Sequence, residues 1–249
     1  MRCGRKAIMW IALALCLICA VLLALALHSR AEHAKPASKD PEGAIAAQED
    51  RTVDVPVDFA AWQERNPDIY AWIEYPGTNV DYPIVQSAED DAYYLRRDID
   101  GKEAVAGSLY TEHTYNSKTF DDPVTVIYGH NMANRTMFGG LQSHIEAADL
   151  ASTEEYFYVY LPGRILTYRV VGGAPGDDAH ILYYNDFSDP TGFSNYFGNL
   201  YAQSGEHVNL PGLLRPSPDD RVVILATCMN GEKYLRYLII GVLTDDTGN

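Results

Sequence analysis

Two apolar runs of this sequence each finish on one reactive side chain. Val222-Val223-Ile224-Leu225-Ala226-Thr227-Cys228 ends on a thiol, and Val124-Thr125-Val126-Ile127-Tyr128-Gly129-His130 ends on an imidazole. A thiol is a weak nucleophile near neutral pH until a neighbouring base or cation favours the thiolate. An imidazole can supply that base and carry the proton onward. Arg236 lies eight residues beyond the thiol, in Tyr234-Leu235-Arg236-Tyr237-Leu238-Ile239-Ile240. Its guanidinium can hold a carbonyl or a developing oxyanion through two N–H donors. Arg135, Arg169 and Arg221 compete for that role, but Arg236 follows the cysteine run by one turn and falls on the neighbouring strand. His130 and Cys228 are 98 positions apart, so only the tertiary fold can join them. Each residue also has a plain structural reading: a small buried hydrophobe for the cysteine, a strand-end histidine without chemistry, and an arginine on a solvated edge.

The elements that must position these groups are short. Apolar or aromatic runs at 70–75, 80–86, 107–111, 124–128, 157–161, 165–171, 222–227 and 235–243 are separated by turn residues. That spacing predicts an all-β barrel or sandwich. Asp58 is a fitting N-cap for a short amphipathic helix over 58–65, stopped at Asn66-Pro67. Further helices are expected at 89–97 and 140–147. About 45 residues separate the strand ending near Gly173 from the one starting at Arg221, a length associated with functional lids. A helix over 194–204 fits inside this segment. Its aromatics, Tyr183, Tyr184, Phe187, Phe193, Tyr196, Phe197 and Tyr201, either wall a groove or pack the segment onto the sheet. His113, His144, His180 and His207 lie in polar surroundings and read as solvated side chains.

Composition narrows the function classes. The chain has 249 residues and a formal charge of −15, yet residues 1–30 carry four cations and no acid, leaving −19 for the rest. So acidic a body repels phosphate backbones and argues against nucleic-acid binding. Cys3, Cys16 and Cys19 cluster at the N-terminus, so Cys228 has no disulfide partner in the body, and no CxxC metal pattern is present. Residues 7–27 are apolar and free of charge, long enough for a helix to cross a bilayer. Arg2, Arg5 and Lys6 precede the run and place the N-terminus in the cytoplasm. A cleaved signal peptide is the competing reading, and lipid attachment at Cys16 or Cys19 fits less well because Leu15 and Ile18 are not small. The expected organisation is a cytoplasmic tail and transmembrane anchor over 1–28, a flexible stalk over 29–55 and a catalytic domain over 56–249.

With these residues in order, the chain resembles the sortases. His130 in Ile-Tyr-Gly-His-Asn-Met, Cys228 in Leu-Ala-Thr-Cys and Arg236 downstream are similar to the family's His, Cys and Arg. Asn66-Pro67-Asp68-Ile69-Tyr70-Ala71-Trp72-Ile73, Tyr82-Pro83-Ile84-Val85-Gln86, Gly107-Ser108-Leu109-Tyr110 and Met137-Phe138-Gly139 resemble class B members. So does the helix-containing segment before the cysteine strand. The likeness covers roughly 57–244. It implies a mostly β, closed sortase-type barrel with short peripheral helices, an N-terminal helix and one transmembrane helix. It also implies a cysteine transpeptidase of the Gram-positive cell surface, anchored in the membrane, with its catalytic domain outside and no cofactor or metal. Cys228 would attack a backbone carbonyl in the sorting signal of a secreted protein, and a thioacyl-enzyme would form. An amine of a peptidoglycan precursor, or a pilin lysine, would resolve it. His130 would serve as general acid and base and Arg236 would hold the carbonyl, while Thr227, Leu95 and Tyr183 would line the substrate site. Two departures stand out: Met229-Asn230 follow the cysteine where class B members often carry an acid, and Ile224 stands where the cysteine motif begins with threonine. A papain-like protease and an inactive surface-binding module are the readings from other classes.

Overall fold

The Asp58 carboxylate accepts a hydrogen bond from the Ala61 N–H at 3.1 Å and opens helix α1, Phe59–Arg65, as expected of an N-cap. The computed structural model describes residues 53–212 and 214–248, and the expected anchor over 1–28 and all but the end of the stalk lie outside them. Among the described residues, no helix is long and apolar enough to cross a membrane.

The strands are β1 Ile69–Tyr75, β2 Val80–Val85, β3 Leu109–Tyr110, β4 Val124–Tyr128, β5 Tyr156–Leu161, β6 Arg164–Asp177, β7 Val222–Cys228 and β8 Leu235–Asp246. They close into a barrel in the order β1-β2-β3-β4-β7-β8-β6-β5, as the mostly β reading required. Only β2–β3 and β4–β7 are parallel pairs. Helices α2 Leu141–Ala147, α3 Ile181–Tyr184 and α4 Pro190–Tyr201 decorate the outside.

β4 and β7 are apolar at nearly every position because both of their faces are covered. Alternation sends Val223 and Leu225 into the barrel with Ile127, Phe157, Tyr168 and Ile239. Val222, Ile224 and Ala226 point outward, under Phe193 and Phe197 of α4, together with Val124, Val126, Leu238 and Ile240. Each such buried side chain contributes about 1.5–3 kcal/mol, so the outer layer is a second core. It settles the aromatic segment: Phe187, Phe193, Phe197 and Tyr201 are buried in this layer, whereas Tyr183 and Tyr184 stand exposed.

Three expectations need correction. The stretch 89–97 forms only a 3₁₀ turn, Tyr93–Arg96. α4 begins at Pro190 and not at 194, because the Asp189 carboxylate accepts from the Thr191 and Gly192 N–H groups and proline suits the first helical position. β6 runs on past Gly173 to Asp177, paired with β8 out to Leu235, so the following segment leaves the barrel directly beside the end of β7.

Candidate active site

The register brings the three reactive groups together. β4 and β7 pair in parallel from Val124↔Val222 to Tyr128↔Ala226, and the Gly129 N–H continues the ladder to the Ala226 carbonyl at 3.1 Å. The next positions on the two chains are His130 and Cys228. On the other side of β7, Cys228 pairs with Arg236 across the antiparallel ladder. Val124, Val126 and Tyr128, then Ile224 and Ala226, then Ile240 and Leu238 all face the outer layer. His130, Cys228 and Arg236 extend those three rows by one step each. They therefore meet on the outer face of the barrel wall, just where α4 stops covering it. Gly129 is required there, since a Cβ would run into the Leu109 and Phe138 side chains.

Together with Leu95, Tyr110, Tyr128, Asp178, Ala179, His180, Ile181 and Thr227, the three residues line a cleft of about 240 Å³. Cys228 is exposed to it. Thr227 borders the cleft but is buried, and its hydroxyl has no hydrogen-bond partner. Leu95 is on the rim, with its side chain 39% exposed. Tyr183 is not among the lining residues; it sits on α3, 66% exposed, with its ring 4.8 Å from that of Tyr184. Arg236 makes no ion pair among the described residues, and its one hydrogen bond is a 3.3 Å contact to the carbonyl of Leu235. Its charge acts on Tyr110, whose phenol is nonetheless pushed up by burial. No group of three or more His, Cys, Asp or Glu side chains among the described residues is arranged to hold a metal ion.

The imidazole of His130 is oriented by main chain. Nε2 lies 2.8 Å from the Leu95 carbonyl, which can only accept, so Nε2 carries a proton and Nδ1 is the nitrogen free to exchange one. Gly107 makes this carbonyl available. It adopts φ +55°, and a Cβ there would sit 2.5 Å from the Leu95 oxygen. Cys228 is held in a comparable way. Asn131 Nδ2 donates to the Cys228 carbonyl at 2.7 Å and to Asn230 Oδ1 at 2.9 Å. The Asn230 N–H donates to Gln142 Oε1, whose amide in turn donates to Glu146. Asn131 thus joins the strand end bearing the histidine to the one bearing the cysteine. Asn230 occupies a place where the family resemblance led us to look for an acid.

Sequence reading missed the pairing of the other histidines. Among the described residues, none of these is merely solvated: His113 lies 2.6 Å from Asp91, His144 2.9 Å from Glu155, His180 2.9 Å from Glu112 and His207 2.7 Å from Glu146. Their carboxylates come from loops and, for Glu146, from α2, and spacing along the chain gave no sign of them. One of these pairs, Glu112–His180, borders the cleft.

No family model matches this chain. Sortase B of Listeria monocytogenes is 30% identical over 174 residues, which is 69% of this chain and 67% of the relative. Among solved structures, a Bacillus anthracis protein described as similar to sortase B superposes with a TM-score of 0.62 at 26% identity, covering 75% of this chain and 82% of that one. The Staphylococcus aureus sortase B–substrate complex superposes with a TM-score of 0.63 at 19% identity, covering 75% and 84%, a likeness of fold. With a barrel of this topology and a relative at this identity over two thirds of both chains, the protein belongs to the sortase B family and is a sortase-type cysteine transpeptidase.

Proposed function

We propose that Cys228 is the nucleophile, His130 the general acid and base, and Arg236 the carbonyl-holding cation of this transpeptidase. The observation that carries the reading is that three neighbouring strands deliver these side chains to one cleft, with the guanidinium unpaired. The Cys228 thiol gives its proton to His130 Nδ1, and the resulting thiolate attacks a backbone carbonyl of a C-terminal sorting signal. The C–N bond breaks, the leaving amine takes a proton from His130 Nδ1, and a thioacyl-enzyme remains. An incoming amine gives its proton back to Nδ1 and displaces the thiolate, so the cycle closes without redox chemistry. Arg236 stabilises the negative charge on the carbonyl oxygen in both tetrahedral states. Leu95 and Thr227 border the acyl site, and Tyr183 offers an aromatic contact to substrate beyond the cleft.

The amine is that of a peptidoglycan precursor, and the reaction takes place outside the cell. The apolar, charge-free run over 7–27 behind three cations supports an N-terminal anchor that leaves the catalytic domain on the outer surface.

The test is to incubate the full-length protein with a panel of sorting-signal peptides, with and without a glycine-peptide amine or a lysine ε-amine. Products are identified by mass spectrometry against a Cys228→Ala control. Cys228-dependent transfer to the glycine amine is the expected result. Transfer only to the lysine amine would point to pilin polymerisation, and hydrolysis untouched by any amine would point to a protease.

A further inference from the structure

The wall of the cleft opposite the strand ends is formed by Asp178, Ala179, His180 and Ile181. This wall has little to hold it. α3 is a single turn of four residues, and so short a helix does not persist on its own hydrogen bonds. Of its side chains Ile181 is buried, while Tyr183 and Tyr184 are 66% and 70% exposed. Ile181 and the half-buried Leu182 pack on the outer layer, and the rest of what fixes the turn is polar. His180 is its N-cap: Nδ1 accepts from the Tyr183 N–H at 3.0 Å. A nitrogen that accepts carries no proton, so the imidazole is neutral and its proton is on Nε2. That N–H donates to Glu112 Oε1 at 3.1 Å, while Oε2, 2.9 Å from Nε2, is buried without a well-directed hydrogen bond. Glu112 follows β3 and is only 8% exposed. Its carboxyl is pushed up, first of all by burial. The Tyr115 ring packs on the imidazole at 4.7 Å, and the buried Tyr128 hydroxyl faces the carboxylate without a well-directed hydrogen bond.

We propose that Glu112 and His180 form a positioning latch that fixes the α3 wall of the cleft against the barrel and thereby sets the fit of the sorting peptide. The proposal rests on the reading of the cleft as the peptide site. Neither residue is needed for the covalent steps, because the proton-carrying histidine is His130 and the cation is Arg236. The latch acts through one directed bond: Nδ1 shapes the turn, Nε2–H ties it to β3, and neutral histidine is the side chain that does both at once.

Two variants separate the halves of the latch. In His180→Asn, the amide oxygen replaces Nδ1 as the cap but the side chain no longer reaches Glu112. In Glu112→Met the volume is kept and the acceptor removed. Each is expected to raise the peptide KM about tenfold with kcat within about twofold. The rate at which iodoacetamide alkylates Cys228, resolved from Cys3, Cys16 and Cys19 by peptide mapping, should stay within about twofold. The double variant should be no worse than the worse single one, since both remove the same bond. Glu112→Gln, which keeps an acceptor, should restore most of the affinity.

An activity-independent readout keeps this separate from the proposed function. Amide hydrogen exchange over 179–185 should be several-fold faster in Glu112→Met than in wild type, with β4 and β7 unchanged. Unchanged exchange, a wild-type KM, or additive losses in the double variant would each overturn the latch. Absence of any Cys228 adduct in the wild-type protein would instead overturn the functional reading, whatever the exchange shows.

Discussion

The two ends of the β7–β8 hairpin use the same side-chain chemistry in opposite ways. At the start of β7, Arg221 donates to Asp121 and Asp246 at 2.8 Å each, and Arg164 donates to the same two carboxylates at 2.7–2.9 Å and to the Thr119 carbonyl. Arg164 and Asp246 are largely buried, and every guanidinium there faces a carboxylate. At the other end, Arg236 sits across from Cys228 with a single long bond to a neighbouring carbonyl. Arg236 is half-buried at the cleft and makes no ion pair among the described residues, so its guanidinium stays available for charge arriving from outside. The closed end is stability and the open end is reactivity.

This contrast can be broken from the open end first. Cys228→Ala is expected to reduce turnover to background in a transfer assay while leaving the thermal midpoint within about 1 °C, since a small exposed side chain is trimmed. Arg236→Ala should lower kcat/KM by a factor of about 10²–10³, roughly 3–4 kcal/mol of transition-state stabilisation, and leave unfolding free energy within about 0.5 kcal/mol. Arg236→Lys should recover little of it, because one ammonium cannot replace a two-pronged donor; full activity of the lysine variant would refute the carbonyl role.

The closed end should show the reverse. Arg164→Ala is expected to cost about 2–3 kcal/mol in chemical denaturation, because it leaves Asp121 and Asp246 with Arg221 as their one remaining arginine in a partly buried site, while kcat changes less than about twofold. The same network predicts a pH signature. The Asp246 carboxyl is held well below the usual range, chiefly by hydrogen bonds from Arg164 and then Arg221, and Asp121 is lowered by the same arginines. A lowered folded-state pKa contributes stability that is fully present above the unfolded carboxylate value, about 3.9, and is lost as pH falls through the folded value. Melting temperature measured from pH 5 to pH 2 should therefore fall in wild type and fall less steeply in Asp246→Asn. The smallest effect is expected at Asn131→Ala, which removes the tie between the two strand ends: about 1–2 kcal/mol in kcat/KM, seen as about tenfold slower transfer.

Much of the open end was legible in the sequence because it obeys a local rule. The apolar runs over 124–128 and 222–227 announced strands, period-two alternation placed Arg236 on the face of the neighbouring strand, and the reactive residues ended their runs. The positive charge of Arg236 was legible, but its freedom was not, since freedom depends on where every carboxylate lands. The same limit explains His180. Its partner Glu112 is 68 positions away, and no periodicity links a residue after β3 to the cap of a one-turn helix. The Leu95 carbonyl that orients His130 is main chain, which composition cannot mark. Local signals were also overridden: the strand expected to end near Gly173 is carried to Asp177 by its pairing with β8. The start of α4 was missed: Asp189 is a fitting cap and Pro190 suits the first helical position, four residues before the helix expected from 194.

The proposed reaction centre at the open end of the hairpin joins Cys228, His130 and Arg236, which makes no ion pair among the described residues. Its most direct test is intact-protein mass spectrometry on samples quenched milliseconds to minutes after mixing with a cleavable sorting peptide, for wild type and Arg236→Ala. In wild type an acyl adduct on Cys228 is expected that disappears on adding amine, and the same adduct should form about 10²–10³ times more slowly in the variant. An adduct that forms equally fast without Arg236, or maps to any residue other than Cys228, would contradict it.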